Sequence, residues 1–124
     1  MIIAVPVKTD RENSAVAPLF GKSKWFAFIE DGNISIEKNE AKGGAAVVAW
    51  LLAKGVKSLI IQHMSNPPYQ KIVEDGSITV YHAGEARIEL DELLIKYDTN
   101  CLAVIDESNA EGIIKNNDRK HQNH

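Results

Sequence analysis

Apolar and polar positions along this chain follow two periods, one of strands and one of helices. Ile2 to Val7 is a short, β-branched apolar run that reads as a buried strand. Pro6 falls near its end, as expected of a residue that cannot donate to a sheet ladder. Trp25 to Glu30 and Ile34 to Glu37 are two further strand-like runs, and in the second Ile34 and Ile36 alternate with Ser35 and Glu37. Asp31-Gly32-Asn33 joins them. Asp-Gly tolerates the positive φ of a tight turn, so the pair predicts a hairpin. Ala45 to Lys54 is apolar on nearly every side and rich in alanine and leucine, which predicts a helix buried against a sheet. Val56 to Gln62 reads as a buried strand. Ser65 or Asn66 caps a helix from Pro67 to about Asp75, and Gly76 ends it. Ile78 to Tyr81 is another short strand. Ile88 to Tyr97 is an amphipathic helix, with Leu90, Leu93, Leu94 and Tyr97 at i, i+3, i+4 and i+7.

Cys101 to Ile105 is apolar but too short to assign to strand or helix. After Glu107 the chain turns polar, and Asn116 to His124 reads as a frayed tail. The order is therefore strand, hairpin, helix, strand, helix, strand, helix. Alternation in the second half implies parallel strands joined by right-handed crossovers, and the hairpin adds antiparallel strands on one side. This predicts an α/β domain over residues 1–106, with a mixed five-stranded sheet, helices on its faces and a polar tail over 107–124.

Composition narrows the function. Hydrophobic residues make up 44% and charged residues 25% of 124 positions, enough for one core. A net charge of −3 argues against nucleic acid as a partner. No apolar run reaches the roughly 20 residues of a membrane span, and the N-terminus lacks the basic flank of a signal peptide. The single cysteine excludes an internal disulfide and fits a reducing cytoplasm. No C-x-x-C, H-x-x-x-H, G-x-S-x-G, Walker A or G-x-G-x-x-G pattern occurs. Asp91-Glu92 and Asp106-Glu107 read as solvated charged pairs, so the expectation is a protein that binds rather than catalyses.

Binding chemistry concentrates at strand ends, where open α/β sheets hold ligands. Residues 8 to 23 form a long polar loop after the first strand, and loops of this length are often functional. In it, Asn13 and Ser14 offer polar contacts, Phe20 packs the loop down and Gly21 permits a sharp bend. Gly43-Gly44 either exposes amide groups at the positive end of a helix or simply makes a turn. His63 follows the fourth strand and His82 matches it after the fifth. Either is a candidate metal ligand or acid–base group, and His63 could instead bond a neighbouring carbonyl. Cys101 reads by itself as a small buried hydrophobe, and Trp25 and Trp50 as core.

Several of these segments together resemble one family. They are Ile2-Ile3-Ala4-Val5-Pro6-Val7, the stretch Glu12-Asn13-Ser14-Ala15-Val16-Ala17-Pro18-Leu19-Phe20-Gly21-Lys22-Ser23, the Gly43-Gly44 helix entry, and Gly55-Val56-Lys57. The chain resembles the dinitrogenase iron-molybdenum cofactor biosynthesis family over roughly residues 1 to 97. The resemblance implies a ribonuclease H-like three-layer fold with strand order 3-2-1-4-5. It also implies non-catalytic binding or carriage of an iron-molybdenum or related metal–sulfur cluster, bordered by Asn13, Ser14, Phe20, Gly21, Gly43 and Gly44. Nitrogenase cofactor-assembly or redox proteins would be its partners. Many members carry a histidine just before the Phe-Gly pair where this chain has Leu19, leaving His63, His82 and Cys101 as candidate metal ligands. A regulatory or interaction module that kept the fold without the cluster is the alternative.

Overall fold

Strands buried on both sides need apolar residues at consecutive positions, and the central runs of this chain supply them. The computed structural model describes residues 1–115. In chain order its elements are β1 (Ile2–Val7), a single 3-10 turn (Phe20–Lys22), β2 (Trp25–Glu30), β3 (Asn33–Lys38), α1 (Gly44–Ala53), β4 (Val56–Ile61), β5 (Met64–Ser65), α2 (Asn66–Asp75), β6 (Thr79–His82), α3 (Leu90–Asp98), β7 (Ala103–Val104), α4 (Ala110–Ile113) and β8 (Ile114–Lys115). The main sheet runs β3-β2-β1-β4-β6-β7. β1 pairs antiparallel with β2 and parallel with β4, and β4 pairs parallel with β6. At the hairpin tip both Asp31 and Gly32 take positive φ, and Glu30 pairs with Asn33 across a two-residue turn.

Alternate residues of each strand serve two cores. Ala4, Phe26, Phe28, Leu59 and Ile61 face α1 and α2, packing against Val47, Val48, Leu51 and Ile72. Val5, Val7, Ala27, Ile29 and Ile60 face α3, packing against Leu90 and Leu93. The protein is thus three layers, with a mixed sheet between helices. Trp50 packs edge-on against Phe26 and Phe28 at the border of the first core.

Two differences from the sequence expectation stand out. The sheet has six strands, not five: β7 adds an antiparallel edge to β6 through Tyr81↔Val104 and His82↔Ala103. Its two residues carry no alternation for a pattern to detect. The packed chain also continues past residue 106. Ile113 is buried in the first core, and β8 pairs parallel with β5. The expected frayed segment, 116–124, lies outside the described residues.

The loop after β1 decides what the carboxyl rim of the sheet looks like. β1 and β4 pair, with a register shift between Ile2 and Ile3, only as far as Ala4↔Leu59. Beyond that point the loop returns and inserts between them. Ala17 donates its amide to the Pro6 carbonyl and Lys8 donates to Ala15, while on the other flank His63 donates to Pro18 and Phe20 donates to His63. Phe20 is the anchor, buried edge-on against Phe26 with ring centroids 5.7 Å apart.

Candidate functional site

The wedge brings the end of the first loop, the entry to α1 and the end of β4 to one place. Between them is a cleft of about 520 Å³, lined by Leu19, Phe20, Gly21, Lys22, Gly43, Gly44, His63, Met64 and Ser65. That volume suits a small-molecule ligand. Four of the six residues expected to border a ligand meet here, as does one of the three expected metal ligands.

Small residues form its floor. Gly43 starts α1 at φ 94°, where a side chain would be strained. A Cβ on Gly44 would lie 2.7 Å from Pro68 Cγ, so this glycine permits the close approach of α1 to α2. A Cβ on Gly21 would lie 3.6 Å from Gly44 Cα. Gly21 does not take a positive φ, so it lowers the wall beside α1 and does not make the sharp bend expected of it.

The α1 entry is electropositive in a specific way. Its first intrahelical bond runs from the Val47 amide to the Gly43 carbonyl, and no side chain caps the end. Among the described residues, the amides of Gly44, Ala45 and Ala46 have no acceptor, and the helix entry borders the cleft at Gly43 and Gly44. The start of α2 also touches the cleft through Ser65, but Pro67 and Pro68 remove two of its first amides. Lys22 adds a cation at the wall. A negatively charged guest is therefore favoured, on the α1 side.

His63 is the one imidazole among the cleft residues. Its backbone is held in the loop ladder, and its Nε2 lies 3.0 Å from Glu85 Oε1. Its Nδ1 is buried without a hydrogen-bond partner. His82 does not line the cleft, although its Nε2 lies 3.7 Å from Glu85 Oε2 and is likewise buried without a hydrogen bond. Cys101 is exposed and not a buried hydrophobe. It lies beyond the far end of α3, where Tyr97 meets Ser58 at the amino end of β4, on the opposite rim from the cleft. Among the described residues no group of three His, Cys, Asp or Glu side chains is arranged to hold a metal ion.

Asn13 and Ser14 have other duties. Asn13 Oδ1 accepts the Asp91 amide at 2.8 Å, capping α3 from a distant segment. The buried Ser14 hydroxyl accepts the Thr9 amide at 2.9 Å, and the Ser14 carbonyl accepts from Leu90. These residues staple the loop to α3, away from the cleft. Met64 and Ser65 follow His63 at the strand end where a ligand was expected, and they line the cleft, whereas Lys22 and Glu85 were not singled out from the sequence. Lys22 follows the Phe-Gly pair directly, and Glu85 follows His82 by three positions, so both stood beside residues already singled out.

The fold is a three-layer α/β protein with a cleft at a strand switch, bordered by a helix entry and a lysine, the place where such folds hold small ligands. Comparison with known proteins makes the class particular. The profile of the family described as dinitrogenase iron-molybdenum cofactor matches residues 1–100, and the chain belongs to that family. Its structure is similar to the NMR structure of a Thermotoga protein provisionally described as NifB and placed in the DUF35 family. The TM-score is 0.70 at 22% identity, over 83% of this chain and 91% of that one. It is also similar to the apo form of the orange protein from Desulfovibrio gigas, with a TM-score of 0.71 at 15% identity, over 84% of this chain and 92% of that one. No curated protein matches the chain by sequence. Among the described residues no helix is long and apolar enough to cross a membrane.

Proposed function

We propose that the protein is a non-catalytic binding or carrier protein for an iron-molybdenum or related metal–sulfur cluster, taken up as cargo in the cleft. The observation that carries this reading is the meeting, in a member of this family, of the uncapped α1 entry at Gly43-Gly44, Lys22 and His63 around one small space. The donor set suits such a guest. Amides and an ammonium group favour the negative charge of a sulfide-rich cluster, and an unpartnered imidazole nitrogen is a good ligand for iron and other transition metals. No cysteine lines the cleft, so the guest would bring its own sulfides and not be built on protein thiolates. On this reading the fold is of the ribonuclease H-like type, the protein works in the cytoplasm, and cofactor-assembly or redox proteins deliver and receive the cluster.

Anaerobic reconstitution with ferrous iron and sulfide, or loading with isolated cofactor, tests the reading. Stoichiometric metal with charge-transfer absorption in the visible is the expected result. Metal at background in a folded protein would overturn it. That outcome would favour a second reading, a regulatory or interaction module of the same fold without a cluster. Leu19 is the observation behind it, because an apolar side chain 47% exposed stands at the cleft wall.

A further inference from the structure

Glu85 has no place in the sequence motifs, lies outside the cleft and has a side chain 66% exposed, yet the backbone on both sides of it is tied to the end of β4 beside His63. Gln62 is buried and donates its Nε2 to the Ala86 carbonyl at 2.8 Å, tying the turn after β6 to the end of β4. The Ala83 amide donates to the Ile61 carbonyl at 2.7 Å, fixing the other side of the same turn. Between these two anchors the Glu85 carboxylate reaches His63 Nε2 at 3.0 Å through one oxygen and stands 3.7 Å from His82 Nε2 through the other.

A carboxylate only accepts, so a neutral His63 bonded to it carries its proton on Nε2. The lone pair is then on Nδ1, the nitrogen left buried and unpartnered. An unsatisfied buried acceptor is a cost that the fold carries until an electron-poor atom meets it. Carboxylates commonly fix the tautomer of metal-binding histidines in this way and raise their basicity.

We propose that Glu85 is a positioning residue: it sets His63 as the Nε2–H tautomer and so leaves the lone pair on Nδ1, the atom that ligates a metal of the cargo once a turn of the His63 side chain uncovers it at the cleft. The ligation half rests on the cluster reading above, and the tautomer half does not. The tautomer is read in the intact, metal-free protein from long-range nitrogen–proton correlations of the imidazoles, at pH about 8.5 where an ordinary imidazole is neutral. The expected wild-type signature is a protonated Nε2 and a bare Nδ1. Glu85→Ala should lose that exclusive tautomer with an otherwise unchanged amide spectrum and, after loading with iron and sulfide, hold iron about 10-fold less tightly or worse. Glu85→Gln should keep both, because its amide oxygen still accepts from Nε2–H.

A wild-type His63 protonated on Nδ1, or a tautomer unmoved by Glu85→Ala, would overturn the assignment. Equal iron retention in wild type and Glu85→Ala would overturn the ligation half. Failure of the wild type to take up any iron would instead remove the cluster reading and the ligation half with it. The tautomer measurement would still decide the role of Glu85.

Discussion

Gly44 and Asn13 both belong to the conspicuous motifs of this chain, but the structure gives them different work. Gly44 is the point where α1 passes α2, with no room for a Cβ beside the Pro68 ring. Pro68 is buried and rigid, so neither partner can yield cheaply. Gly44→Ala should lower stability by about 1–3 kcal/mol, read as a lower urea midpoint at unchanged slope. It should also weaken cargo retention, because α1 must shift at the cleft floor. Asn13 caps α3 and does not line the cleft. Asn13→Ala should cost about 1 kcal/mol and speed amide exchange at Asp91, while iron retention after loading stays at the wild-type level. Loss of retention in this variant would return Asn13 to the binding site.

Elements behave differently according to whether their partners are near or far in sequence. The hairpin β2–β3 and the helices α1 to α3 were legible because period, turn residues and caps are local properties. β7, β5 and β8 were not, because two-residue strands exist only through the partner that pairs with them. The Ala110–Lys115 segment is the clearest case. Its polar composition reads as tail, and its docking depends on Ile113 and on the turn at Asp106. The Asp106 carboxylate accepts from both the hydroxyl and the amide of Ser108, and these bonds hold it below the usual aspartate range. A carboxyl depressed in the folded state adds stability that is fully present above its unfolded value, about pH 4, and lost as pH falls through its folded value. Methyl signals of Ile113 should therefore stay native down to about pH 4 and shift below it. In Asp106→Asn, which lacks the titrating group, the Asp106-linked part of that shift should vanish.

At the scale of the molecule, charge is unevenly placed. The chain carries a net charge of −3. The part of the carboxyl rim formed by residues 8–24 and 38–42 nevertheless holds Lys8, Arg11, Lys22, Lys24, Lys38 and Lys42 against Asp10, Glu12 and Glu40. Strand register puts these segments at one end, since Val7 pairs with Trp25 and Trp25 with Lys38. An anionic guest is thus drawn to the side of the sheet where the α1 amides open. Retention of cargo should fall as salt rises, because exposed charges are screened over about 10 Å at 0.1 M. Lys22→Ala should weaken retention about 5-fold at low salt, equivalent to about 1 kcal/mol, and the deficit should shrink at high salt. A salt-independent affinity would argue for a guest held by apolar contact at Leu19 and Met64.

The sequence alone determined the layers. Runs such as Ala4-Val5 and Leu59-Ile60-Ile61 are apolar at successive positions, and a strand with both sides apolar must lie between two helical layers. It also marked the loop from Asn13 to Gly21 and the Gly43-Gly44 entry as the places to look. Only the tertiary structure decided how that loop is used. Its first half is a staple to α3, and its second half is a wedge between β1 and β4 that delivers Phe20, Gly21 and Lys22 to the cleft. It also separated the three residues that sequence had named as candidate metal ligands: His63 lines the cleft, His82 stands beside Glu85, and Cys101 lies at the other rim. The reason is physical. Periodicity and turn chemistry act over a few residues, whereas the pairing of Pro18 with His63, and of His63 with Glu85, joins segments 45 and 22 positions apart through single hydrogen bonds that leave no local pattern.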